Sequence, residues 1–259
     1  MWFGIYYLGL PQATLAENIV FNIPRAAINF NDGFGGGSLI QANLLFNTCR
    51  ESSDHGAFNS WDRLPYFTTI RTGSPSTIPQ TNVASGNFIV ANYAADGGCL
   101  DNDDGSAYYD IHHNFCVFGG HKSDFDGNSK VSRSNLHVFP SVYGTRCLNI
   151  GAQKLPPKGY AEQYRDNVCI LPDAGAQYVY VSDFCQSPDA KSGFEAGLIL
   201  ANNTVYAPGA NVSIACHDGR EALSFSEFQK LGYDPTTVVR GDMPSADTII
   251  AWAKALLGR

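Results

Sequence analysis

Asn114-Phe115-Cys116-Val117 and Asn135-Leu136-His137-Val138 are two copies of one unit, an asparagine followed by three mostly apolar residues. The unit recurs at Asn18-Ile-Val-Phe21, Asn43-Leu-Leu-Phe46, Asn87-Phe-Ile-Val90, Asn167-Val-Cys-Ile170 and Asn203-Thr-Val-Tyr206. Behind the asparagines, His137 and Thr204 are the two polar exceptions. Successive asparagines are 25, 44, 27, 21, 32 and 36 residues apart, and periods of about 20–50 residues with one short strand each signify a solenoid. A strand of three or four residues cannot bury itself, but stacked copies build a continuous sheet and a ribbon-like core. Asparagine at the head of each strand tolerates the left-handed turn conformation, and its amide can bond to its counterpart one coil away. The unequal spacing is expected to be absorbed by loops leaving one corner of each coil.

Composition agrees with this reading. Hydrophobic residues make up 44% of the chain and charged residues 16%, enough for a continuous core and too few charges for long disordered tracts. Frequent glycine, tyrosine and phenylalanine favour a turn-rich, all-β chain. A net charge of −7 without a basic stripe excludes nucleic acid as an expected partner, because phosphate neutralisation needs clustered Lys and Arg. No apolar run approaches the roughly 20 residues of a membrane span. Met1 to Leu10 lacks a basic n-region and a cleavage site and reads as a buried strand. A chain starting mid-strand is expected to lack the N-terminal coils of a longer solenoid.

The seven cysteines contain no CxxC pair, so a zinc site or redox dithiol is unsupported. Their odd number argues against a fully paired framework and leaves one to three bridges open. Cys116 and Cys169 read as small apolar residues of the core stack, and His137 as a satisfied core histidine. Asn202-Asn203-Thr204 and Asn211-Val212-Ser213 fit glycosylation acceptors and point to an extracellular or cell-surface location.

Residues 1–222 are expected to form the coils and 223–259 a helical cap. Ser224-Phe-Ser-Glu227 is a capping box opening a short helix that Gly232 closes. Ser245 to Leu257 has an amphipathic pattern with Ile249, Ile250, Trp252, Ala253, Leu256 and Leu257 on the apolar face. Covering the open end of the solenoid is its expected role.

Asn-headed short strands at this period resemble the right-handed parallel β-helix superfamily, the pectin-lyase-like proteins. The blocks from Pro24 to Gly37, Arg50-Glu-Ser-Ser-Asp-His-Gly56, Phe58-Asn-Ser-Trp-Asp-Arg63 and Asp103-Asp-Gly-Ser106 look like a subgroup met as uncharacterised right-handed β-helix domain proteins. That subgroup is similar to the fucosidase- and xylanase-type glycoside hydrolases on this fold. The resemblance covers roughly residues 15 to 240 and is more specific for fold than for activity, since the superfamily hosts lyases, hydrolases, epimerases and adhesins. It implies a monomeric right-handed parallel β-helix with a carbohydrate partner and an acidic pair from neighbouring coils.

The residues themselves admit that chemistry. A dense polar run from Arg50 to Arg63 supplies Arg50, Glu51, Asp54, His55, Asn59, Trp61, Asp62 and Arg63. The next acidic turn carries Asp101, Asp103 and Asp104. Strands one coil apart stack about 4.8 Å from each other, so Asp62 and Asp103 or Asp104 can face one another across a groove. Glycoside hydrolysis needs such a pair, one carboxyl to protonate the leaving oxygen and one to attack the sugar or activate water. Asp54 is a further candidate, and Trp61 offers a face for a sugar ring. A lyase would instead use His55 as base and Arg63, Lys122 or Arg25 to neutralise a uronate. A third reading is a surface protein that holds a glycan without reacting on it. His121-Lys122-Ser123-Asp124 is expected as a loop cluster on the same groove. His112 and His113 precede a strand, where adjacent side chains are expected to point to opposite faces, so that they would not both ligate one metal. No cofactor is required; calcium is the one metal the acidic turns would admit, although neither Asp101–Ser106 nor Asp124–Asn128 has the EF-hand glycine spacing.

Overall fold

The computed structural model describes residues 4–8, 12–31, 36–61, 80–94, 98–124, 127–140, 146–151, 156, 159–181, 197–216 and 221–258. Short strands stack into three sheets, A, B and C, each visited once per coil, with parallel pairing in B and C throughout. Sheet A adds one antiparallel strand, Glu221–Ser224, against its last coil. The chain is thus an all-β parallel solenoid.

Registers run straight from coil to coil, apart from one bulge between Gln177 and Val179. Ile28, Phe58, Leu100, His121, Leu148, Val179 and Ile214 form one inward column of sheet A. Val20, Leu45, Ile89, Cys116, His137, Cys169 and Val205 form the matching column of sheet C. Burying each apolar side chain in these columns contributes about 1.5–3 kcal/mol, which no single short strand could collect. The seven asparagine units supply seven of the eight strands of sheet C, as their sequence predicts, and Val238–Arg240 is the eighth.

The asparagines themselves form a ladder. From Asn18 through Asn167, the backbone N–H and Nδ2 of each donate to Oδ1 of the next at 2.8–3.1 Å. Nδ2 of Asn43 and of each later asparagine also donates to a carbonyl of sheet B, as from Asn114 to Ala84 at 2.9 Å. Thr237 ends the ladder by accepting from Asn203 N at 2.9 Å. The left-handed turn falls one residue earlier than expected: Glu17, Ala42, Gly86, His113, Ser134, Asp166 and Asn202 have φ between 52° and 63°. Gly86 takes that conformation without strain, whereas a side chain there costs roughly 1–2 kcal/mol. The ladder bonds hold the other six in place.

This B-to-C corner is two residues long in every coil, while the A-to-B and C-to-A corners both vary in length. Insertions therefore leave two corners, where one was expected. A two-residue corner tied by the ladder has no slack to absorb them.

The lumen is partly polar. Lys130 Nζ lies 3.0 Å from Glu162 Oε1, both buried, and Tyr164 OH donates to Glu162 Oε2 at 2.7 Å. His137 lies in the core as expected, but neither ring nitrogen makes a hydrogen bond of good geometry. Burial lowers it to about 4, with a backbone contact at Gly119 opposing part of the shift. A depressed folded-state value means stability is fully present above the unfolded value of about 6.5 and is lost as pH falls toward the folded one. His137→Leu, matching the apolar residues elsewhere in the column, is expected to reduce the loss between pH 7 and 4 by about 3 kcal/mol. Urea midpoints at the two pH values measure this.

Cys169 is not a simple packing residue. It is disulfide-bonded to Cys147 across the lumen.

Helix α1 (Phe225–Lys230) has the expected capping box, Ser224 with Glu227, and Gly232 follows it with φ 95°. Its Phe228 stacks on Tyr233 at 4.8 Å and both join the core of the last coils. Helix α2 (Ala246–Leu256) does not cover the open end. Ile249 and Ala253 lie against Phe115, Leu136, Val138 and Ile170 on the outer face of sheet C, and Ile250 is half exposed. The outward residues of those strands are apolar as well as the inward ones, so the sheet needs a cover along its flank. No described helix is long and apolar enough to cross a membrane.

Candidate active site

Next to the inward column of sheet A runs an outward one: Asn29, Asn59, Asp101 and Lys122. Period-2 alternation points these side chains away from the core, yet all four are buried. The segment from Cys49 to Ala57, between sheets C and A, supplies part of their cover. Gly56 N donates to Asp101 Oδ2 at 3.2 Å. A Cβ on Gly56 would stand 2.7 Å from the Asp101 Cβ, so glycine is needed for this approach. Asn92 supports the same segment, donating to the His55 carbonyl at 3.1 Å and accepting from Thr48 Oγ1 at 2.6 Å.

Lys122 is the hub. Its Nζ lies 3.1 Å from Asp54, 3.6 Å from Asp101, 3.7 Å from Asp124 and 4.0 Å from Asp103. One cation faces four carboxyl groups from three segments of the chain. Burial raises Asp101 well above the usual carboxylate range despite the lysine, and burial raises Asp103 likewise. Burial alone would lower Lys122, but the surrounding carboxylates outweigh it and hold the ammonium charged. Burial thus favours the protonated form of both buried carboxyls, while Lys122 opposes it. A carboxamide oxygen of Asn59 lies 3.0 Å from Asp101 Oδ2; a proton on Asp101 makes this a hydrogen bond, and so does turning the Asn59 amide. Asp54 has the opposite setting, its side chain 65% exposed.

A second group adjoins the first through His55. Arg25 Nη2 contacts His55 Nε2, Ser52 Oγ lies 2.7 Å from Nδ1, and Arg25 sits over the Trp61 ring at 5.5 Å. The guanidinium can only donate, so Nε2 accepts and the proton resides on Nδ1. Burial, with Arg25 adding to it, lowers His55 to about 4. The ring is neutral at pH 7 and both nitrogens are engaged.

Asp103 and Lys122 are therefore brought together with Asp54, and Asn59 and Trp61 flank them. Asp104 belongs to the turn, its N–H donating to Asp103 Oδ1 at 2.9 Å. Arg50 and Glu51 have exposed side chains and hold the segment through backbone bonds to Ile23 and Pro24. Asp62 and Arg63 lie outside the described residues. Residues 121–124 form a strand of sheet A where a loop was expected; Lys122 and Asp124 point outward, while His121 and Ser123 face the lumen. Asp101 and Asp124 were not singled out as site residues, because their roles depend on register. His112 and His113 differ from expectation too. The left-handed φ of His113 places the two Nδ1 atoms 2.8 Å apart, on one side of sheet B.

Among the described residues, no group of three or more His, Cys, Asp or Glu side chains is arranged to hold a metal ion. In the acidic cluster, Lys122 Nζ stands where a cation would. An apolar cavity of about 250 Å³ between sheet C and α2, lined by Phe88, Phe115, Ile250, Ala253, Lys254 and Leu257, has no acid–base pair. The chain matches no protein-family model, and no curated protein or solved structure is significantly similar to it.

Proposed function

We propose that the Lys122 cluster is the catalytic centre of a carbohydrate-active enzyme, a glycoside hydrolase acting on a polysaccharide and related to the pectin-lyase-like β-helix proteins. One observation carries the reading: two carboxyls in contrasting environments, buried Asp103 and exposed Asp54, converge on one lysine. Environments that push two carboxyls apart separate the acid from the base. Asp103, whose burial favours its protonated form, is the carboxyl suited to give a proton to the leaving oxygen. Asp54, open to solvent, attacks the sugar or activates water. Lys122 keeps both in place and stabilises charge as it moves between them.

Elimination is supported less well. A lyase needs a base with an open lone pair, and both His55 nitrogens are engaged by Arg25 and Ser52. The near-complete burial of Lys122 favours a second reading, in which the cluster is a charge-compensated support and the groove only holds a glycan. The Cys147–Cys169 disulfide supports an extracellular or cell-surface setting, since such bonds persist in oxidising compartments.

Asp103→Asn and Asp54→Asn separate hydrolysis from binding. Each is expected to lower kcat by about 10²–10⁴-fold with the melting temperature nearly unchanged. Unchanged turnover in both variants would remove the acid–base assignment.

A further inference from the structure

Two pairs of cysteines occupy the same two places in the solenoid, two coils apart. Cys147 precedes Leu148 at the head of a sheet A strand, Cys169 is the inward residue of a sheet C strand, and a disulfide joins them. Cys99 precedes Leu100, which shares the column of His121 and Leu148. Cys116 shares the column of His137 and Cys169. In the coil between, Gly120 and His137 fill these places and cannot cross-link. Cys99 and Cys116 are both 0% exposed free thiols, and Cys99 is near enough to add to the upward shift that burial gives the Cys116 thiol. A Cβ on Gly119 would stand 2.7 Å from Cys99 Sγ, so the absence of a side chain there leaves the sulfur its place.

We propose that Cys99 and Cys116 form a second lumenal disulfide when the protein folds in an oxidising medium. One thiolate attacks a small disulfide such as oxidised glutathione, forming a mixed disulfide and releasing one thiol. The other cysteine then attacks the mixed disulfide, closing the Sγ–Sγ bond and releasing the second thiol. The cysteines lose two electrons and two protons, and the small disulfide is reduced to two thiols. Burial of both sulfurs places the exchange before the coil closes, during folding. Cys49 is differently placed: its Sγ donates to the carbonyls of His55 and Gly56 at 3.1 and 3.6 Å. It remains the free thiol among the described residues.

The test uses the full chain, reduced in denaturant, refolded with reduced and oxidised glutathione, then alkylated in denaturant without reductant and mapped by mass spectrometry. The expected result is one cross-linked peptide pair containing Cys99 and Cys116, another containing Cys147 and Cys169, and full alkylation of Cys49. With Cys116→Ala, Cys99 should become fully alkylated. Complete alkylation of Cys99 and Cys116 in the refolded wild type would overturn the proposal, whether or not Cys147–Cys169 has formed. So would either cysteine cross-linked to a different partner.

Discussion

Asn114→Ala is expected to destabilise the fold by about 4–6 kcal/mol, as much as many domains possess in total. Asn114 is fully buried in the middle of the ladder. Its Oδ1 accepts from Asn87 N at 3.1 Å and Asn87 Nδ2 at 2.8 Å. Its Nδ2 donates to Ala84 O at 2.9 Å and Asn135 Oδ1 at 3.0 Å. Alanine leaves these partners in the interior with fewer bonds, each costing about 1–3 kcal/mol when unsatisfied, and adds a cavity. Asn18→Ala is the control. It stands at the first rung, partly exposed, and its loss should cost about 1 kcal/mol or less. Urea unfolding of both variants measures the difference. Equal midpoints would mean that the ladder decorates the corner instead of holding it.

Lys122→Met should cost about 3–5 kcal/mol at pH 7, because removing one partner of a buried charge group leaves the others uncompensated. The loss should depend on pH. A carboxyl raised in the folded state contributes stability that is fully present below its unfolded value and is lost as pH rises through the folded one. Asp101 and Asp103 are raised even beside the lysine, and without it they move further in the same direction. As pH falls Asp101 and Asp103, both raised, take up protons first, so the gap between Lys122→Met and wild type should narrow near pH 4. Adding Asp101→Asn should recover part of the loss at pH 7. Urea midpoints at both pH values provide the reading, and a gap that does not change with pH would show that Lys122 acts through packing alone.

Sheet C was legible in the sequence because its strands follow a corner of constant length headed by asparagine. Sheets A and B follow corners of variable length, so their strands carry no common spacing. The carboxylate cluster was half legible for the same reason. Asp54, Asp103 and Lys122 stand out as a polar run, an acidic turn and a basic residue. That Asp101 and Asp124 join them follows from Leu100 pairing with Phe58 and His121, a register hidden by the intervening loops. The apolar stripe of α2 predicts burial but not the surface it meets, hence its place on sheet C instead of the open end. Cys169 reads as a small core residue, and only its nearness to Cys147 across the lumen distinguishes a bridge from packing.

Hydrolysis at the Lys122 cluster is tested by a polysaccharide panel assayed for new reducing ends and for unsaturated uronate absorbance, with Asp103→Asn beside the wild type. Reducing ends should appear without that absorbance and be lost in Asp103→Asn. Rising absorbance, or turnover that survives the substitution, would contradict it.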